Sequence, residues 1–111
     1  MKKVIFKYLL FSVQRGSSFT PDGKIRIKIP KGEYKILSIN MQDDQAVLWL
    51  EVDPPEEKEI SQELEIIFRV TGEPYDPGHE TYIGSGIFLS GSFVLHFFLN
   101  HIVEKNENPG S

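Results

Sequence analysis

Ala46-Val47-Leu48-Trp49-Leu50-Glu51-Val52-Asp53, closed by Pro54-Pro55, is the stretch whose reading decides the fold. It holds the only tryptophan of the chain. An apolar run of this length, rich in β-branched and aromatic residues and bounded by turn formers, reads as a strand buried on both faces. The expectation is therefore a core strand with Trp49 in the interior, and its neighbours are the segments that cover it.

Upstream, Met41-Gln42-Asp43-Asp44-Gln45 is a polar connection, and Tyr34-Lys35-Ile36-Leu37-Ser38-Ile39 before it is a second apolar strand. A hairpin into the Trp49 strand is the economical reading. Further back, Ile25, Ile27 and Ile29 alternate with Lys24, Arg26 and Lys28 between Pro21-Asp22-Gly23 and Pro30-Lys31-Gly32. Period-two alternation of this kind places isoleucines on a core and cations in water. Residues 3–11 carry apolar side chains at both parities, so that strand should be mostly covered.

Downstream, Pro54-Pro55-Glu56-Glu57-Lys58-Glu59-Ile60-Ser61-Gln62 has an early proline and glutamates, the features of a helix start. It holds one helical turn near 55–62 at most, or an open loop. Leu64, Ile66, Phe68 and Val70 alternate with Glu65, Ile67, Arg69 and Thr71 as a further strand. The segment from Gly72 to His79, with two prolines and two glycines, is a turn region. Two more strands, Tyr82–Leu89 and Phe93–Phe98, meet at Ser90-Gly91-Ser92. About seven short strands without a long helix predict an all-β domain, a small antiparallel sandwich or a partly open barrel. A single domain spans 1–103, and the polar stretch 104–111 reads as a disordered tail.

The 111 residues include no cysteine, so disulfides and thiolate metal sites are excluded. Met1-Lys2-Lys3 and the apolar residues after it resemble a signal peptide, but Lys7 interrupts the run and no small-x-small site follows. An N-terminal strand is the better reading, and no stretch has the length of a membrane span. Net charge is −4, yet residues 1–35 carry nine Lys or Arg against Asp22 and Glu33, while residues 36–111 carry three against fourteen acids. Either basic and acidic strands lie side by side, or a basic face made by Lys24, Arg26 and Lys28 meets an anionic ligand or an acidic partner.

Chemistry-bearing motifs are sparse. Gly84-Ser85-Gly86 lacks the strand-turn-helix setting of a nucleophile elbow, and its glycines instead mark a bulge or a close backbone approach. Asp76, His79 and Glu80 offer two oxygens and one nitrogen to a metal without a fourth ligand. His96, between Leu95 and Phe97, reads as a half-buried strand histidine hydrogen-bonded to a neighbour, and an extended strand would point His101 the other way. No glycine cluster opens a helix for phosphate, and the basic strip has no aromatic between its members, which disfavours nucleic acid.

Seven motifs recur in a fixed order: Phe6-Lys7-Tyr8, Ile27-Lys28-Ile29-Pro30-Lys31-Gly32, Ile36-Leu37-Ser38-Ile39, Leu48-Trp49-Leu50-Glu51-Val52-Asp53-Pro54, Val70-Thr71-Gly72-Glu73-Pro74, Tyr82-Ile83-Gly84-Ser85 and Val94-Leu95-His96-Phe97-Phe98. Their order resembles a family of roughly hundred-residue domains of unknown function found mostly in bacteriophage and prophage genomes. The family's usual Gly-Thr-Gly-His-Pro stands here as Val70-Thr71-Gly72-Glu73-Pro74, and its Val-Trp-His as Val94-Leu95-His96. The resemblance implies a phage origin and action in the cytoplasm of a bacterial host, with no activity attached to it. With no catalytic set in view, the expected function is non-enzymatic binding, without cofactor or metal, of a host protein, to block a defence complex, or of a small anionic ligand. A virion or assembly accessory domain is the alternative. Candidate contact residues are Lys24, Arg26, Lys28, Thr71, Gly72, Glu73 and His96, and open strand edges add self-association as a homodimer.

Overall fold

In the computed structural model, residues 2–12, 23–55 and 61–100 are described. They form seven strands: β1 (Val4–Ser12), β2 (Lys24–Pro30), β3 (Tyr34–Gln42), β4 (Gln45–Val52), β5 (Ser61–Arg69), β6 (Glu80–Phe88) and β7 (Phe93–Asn100). Two antiparallel sheets, of order β1-β4-β3 and β2-β5-β7-β6, pack as a sandwich and not as a closed barrel. The expected helical turn near 55–62 lies largely outside the described residues, and Ser61 and Gln62 already belong to β5. Among the described residues the only helical turn is a short 3-10 segment, Leu89–Gly91.

The core is made by alternate residues of the two inner faces. Ala46, Leu48, Leu50 and Val52 of β4 meet Ile27 and Ile29 of β2, Leu64, Ile66 and Phe68 of β5, and Leu95, Phe97 and Leu99 of β7. In β1 a bulge between Leu9 and Phe11 turns both Leu10 and Phe11 inward. The Phe11 ring then reaches across the sandwich to Phe68 and Phe88, edge-on at centroid distances of 6.1 and 5.1 Å.

Two expectations are corrected by this arrangement. β4 is central in its sheet but is not buried on both faces, because only one face of the three-stranded sheet meets the other sheet. Trp49 lies on the outer face, half-buried, with the Lys7 ammonium 5.7 Å from its ring centroid. Likewise β1 is not mostly covered: Ile5, Lys7 and Leu9 form its outer row, with Ile5 58% and Leu9 39% exposed. Truncation at Trp49 should therefore cost less than truncation in the core. Trp49→Ala is expected to lower stability by about 1–2 kcal/mol, because part of the ring never leaves water. Denaturant titration followed by far-ultraviolet circular dichroism measures it, and a loss as large as that of an inner-face aromatic would contradict the placement.

Hairpin β3–β4 turns through Asp43 and Asp44, both at positive φ (51° and 60°), the geometry of a two-residue turn that matches strand twist. Asp44 Oδ1 then accepts the Leu89 amide at 3.1 Å, tying this turn to the β6–β7 connection. At the opposite end Asp53 accepts from the Lys3 ammonium at 2.6 Å and from the Glu33 amide at 3.4 Å. The Lys3 hydrogen bond, ahead of all other causes, holds the Asp53 carboxyl below the ordinary carboxylate range. A depressed carboxyl stabilises the fold above its unfolded value, and that contribution disappears as pH falls through the folded value. Asp53→Asn should accordingly melt below the parent at neutral pH, with the gap closing in acid; a gap that persists at low pH would remove the assignment.

Gly84 and Gly86 carry the close approach expected of them. A bulge falls between Tyr82 and Gly84, and β6 there passes over β3, the edge strand of the other sheet. A Cβ on Gly84 would stand 3.1 Å from Ile39, and one on Gly86 would stand 2.9 Å from the Met41 sulfur. Only glycine lets the two edges meet so closely.

Candidate functional site

β5 and β6 both run antiparallel to β7 and flank it, so they are parallel to each other. Residues 70–79 must therefore travel back along the length of β7. They do so over its outer face, where Tyr75 lies on Phe98 with centroids 4.5 Å apart and planes at 34°. This crossover is pinned at both ends. Glu73 accepts the Val70 amide through its carboxylate at 2.8 Å, and its own amide donates to the Val70 carbonyl at 3.1 Å. At the far end Asp76 accepts the Gly78 amide at 2.9 Å and pairs with His79 Nδ1 at 2.7 Å. Arg69 and Glu80, the residues that bracket the loop, close it with a two-pronged ion pair of 3.1 and 2.9 Å.

Beneath and beside the crossover lies a chain of polar side chains. Thr71 Oγ1 is 2.8 Å from His96 Nε2, His96 Nδ1 is 2.7 Å from Ser85 Oγ, and Ser85 Oγ is 2.6 Å from the Tyr82 hydroxyl. Ser85 stands directly across from His96 in the β6–β7 ladder, while Thr71 arrives from the loop. Both imidazole nitrogens are thus engaged by hydroxyls of the protein. Among the described residues, the nitrogen where a hydrolytic set would place a carboxylate is met by the Thr71 hydroxyl.

Lys24, Arg26 and Lys28 share this outer face, at its other edge. Ladder pairing sets Arg26 opposite Glu65 and Lys28 opposite Glu63, so the basic strip runs beside the acidic strand β5. Glu65 is only 5% exposed and is met by the Lys24 ammonium at 3.5 Å, Arg26 at 3.3 Å and the Asn100 amide at 3.2 Å. A carboxylate so buried requires these partners. Changing Lys24, Arg26 and Lys28 together to Glu should lower stability by about 1–3 kcal/mol, since it replaces Glu65's cations with like charge. Thermal melts of the triple variant check this, and an unchanged midpoint would show that the strip is merely solvated.

Of the candidate residues, Thr71 and His96 are brought into contact, Glu73 is spent on its own turn, and Gly72 at φ 97° supplies that turn's left-handed residue. Asp76 and Glu80 diverge, one to His79 and the other to Arg69, and no group of three metal-ligating side chains occurs among the described residues. His101 falls outside them. Ser85 and Tyr82 are the members that sequence reasoning missed. The signal was available: a hairpin joining Phe88 to Phe93 puts Ser85 opposite His96 by counting back along both strands.

The outer face of the three-stranded sheet carries a second feature. Ile5, Leu9 and Leu37, all exposed, surround half-buried Trp49, with Lys7 above the ring and Lys35 opposite Glu51 at the border. No helix among the described residues is long and apolar enough to cross a membrane. No curated protein and no solved structure matches the chain. A family model does match residues 1–108, and the chain belongs to that family, Domain of unknown function (DUF7352).

Proposed function

We propose that the protein is a small non-enzymatic binding protein of bacteriophage origin that engages a host protein in the bacterial cytoplasm, with inhibition of a host defence complex as the outcome. The observation that carries this reading is the apolar strip Ile5, Leu9, Leu37 and Trp49 on the outer face of the three-stranded sheet. Exposed apolar side chains gathered around a tryptophan are characteristic of a protein contact surface. Its lysines, Lys7 over the Trp49 ring and Lys35 at the border, suit a partner that sets carboxylates among its own apolar side chains. The Thr71-His96-Ser85-Tyr82 chain supports binding over turnover, because the ring nitrogen opposite Ser85 is met by the Thr71 hydroxyl and not by an orienting carboxylate.

Capture from host lysate tests the reading when the parent is compared with Ile5→Glu/Leu9→Glu, two exposed positions whose change leaves the core intact. The expected result is a host protein retained by the parent and lost by the double variant. Identical capture by both would overturn the assignment of the surface, and detection of the protein in purified virions would favour an assembly role. Light scattering at tens of micromolar separates a foreign partner from a second copy on the same strip.

A further inference from the structure

We propose that the outer face of the four-stranded sheet is a binding shelf for a neutral saccharide, made by Tyr75 and Tyr82 on either side of Phe98 and by the hydroxyl-imidazole chain beside them. It lies on the opposite face from the apolar strip, so this proposal and the host-protein reading stand or fall separately.

The first ground is the way the two tyrosines are held. Tyr75 stacks on Phe98, and Tyr82 meets the same ring at 5.6 Å, edge-on at 66°. The Tyr82 hydroxyl is bonded to Ser85 of its own strand, which lays the ring along β6. Each side chain is fixed on its inner side, and Tyr75 stays 47% and Tyr82 53% exposed while Phe98 is 4% exposed. Two half-exposed tyrosines are thus held in place over a filled floor. The weakly positive C–H face of a pyranose ring packs on such a surface.

The second ground is a proton count. Tyr82, Ser85 and Thr71 bring one hydroxyl proton each and neutral His96 brings one N–H, giving four protons for three contacts. If Nδ1 carries the proton, it donates to Ser85, Ser85 donates to Tyr82, Thr71 donates to Nε2, and the Tyr82 proton is left over. If Nε2 carries it, every bond reverses and the Thr71 proton is left over. In either tautomer one end of the chain offers a donor while the oxygen at the other end keeps its lone pairs. A ligand matches both ends only if it can donate and accept, as sugar hydroxyls do.

The third ground is charge. Arg69 is paired with Glu80, and Lys24 and Arg26 share the carboxylate of Glu65, so each of these cations already has a carboxylate partner within the protein. Among the described residues beside the shelf, an anion would have to compete with these carboxylates for a cation, whereas a neutral ligand meets no such competition. Proline-rich peptides also dock on tyrosines, but they need a groove between rings and bring few N–H donors. Tyr75 instead lies directly on Phe98.

The full chain, labelled with nitrogen-15, is to be titrated by NMR with maltohexaose, cellohexaose, chitohexaose and mannohexaose, each to about 10 mM. A sulfated hexasaccharide and a proline-rich decapeptide are the comparison probes. At least one neutral hexasaccharide should shift the amides of residues 71–75, 82–85 and 96–98. Tyr75→Ala and Tyr82→Ala should each weaken that binding about tenfold, and Tyr82→Phe, which keeps the ring, by less. Unchanged Trp49 emission, read on the opposite sheet, shows that each variant is folded. Silence with all four neutral probes overturns the proposal, as do shifts confined to other residues, binding indifferent to both alanine variants, or a response to the sulfated probe or the peptide alone.

Discussion

Phe97→Ala should destabilise the protein by about 3–5 kcal/mol, among the largest single effects expected of any side chain in the sandwich. Phe97 is fully buried at the centre of β7, between β5 and β6, and packs edge-on against Phe68 at 5.2 Å. Its neighbours cannot collapse into the void. Gly84, directly opposite on β6, has no side chain to move, and the backbone there is already pressed on Ile39. A cavity that stays open adds its own cost to the lost burial. For a domain of this size each kcal/mol lowers the melting midpoint by about 4–8 °C, so calorimetry should show a fall well beyond that of Trp49→Ala. Equal losses for the two variants would mean that the inner and outer faces of the sandwich have been misassigned.

Gly84→Ala should cost about 2–5 kcal/mol, although it adds a single methyl group. Two penalties coincide at this residue. Its φ of 154° is a conformation that side chains rarely adopt, and the added Cβ would meet the Cβ, Cγ1 and Cδ1 atoms of Ile39 at 3.1–3.3 Å. Ile39 cannot swing aside, because its Cβ is among the crowded atoms and β-branching restricts χ1. Relief would have to come from separating β3 and β6, the place where the two sheets close on each other. Gly84→Ala/Ile39→Ala should recover part of the loss, whereas Gly86→Ala, facing the flexible end of Met41 and the Phe88 ring, should cost less. Urea titration of these variants settles the matter; a neutral Gly84→Ala would show that the edges are not in contact.

Much of the local structure was legible because it follows from chain-local sterics. Ile25, Ile27 and Ile29 face the core and Lys24, Arg26 and Lys28 face outward, as a period of two requires. The hairpin connection within 41–45, which the structure narrows to Asp43 and Asp44, the break at Pro54 and the glycines of β6 were read from residues whose backbone preferences do not depend on the rest of the molecule. The sides of β4 were marked only faintly. Gln45 and Glu51 share the parity of Trp49 and point to that face as the outer one, but Val47 and Trp49 between them are as apolar as Ala46, Leu48 and Leu50, and the run reads as buried on both faces.

The candidate site divides along the same line. Ser85 and His96 are joined by a hairpin, and their pairing was within reach of counting. Thr71 reaches His96 only because β7 inserts between β5 and β6, which forces residues 70–79 across its outer face. That insertion is a property of strand order. Strand order depends on which long-range pairings bury the most apolar surface together, and no single segment encodes that sum. By itself the sequence determined the strands, the turns and the direction of the alternating side chains; the tertiary structure alone decided that the Trp49 face of β4 was left without a covering layer and which hydroxyls were assembled around one histidine, because both depend on what lies on the far side of a neighbouring strand.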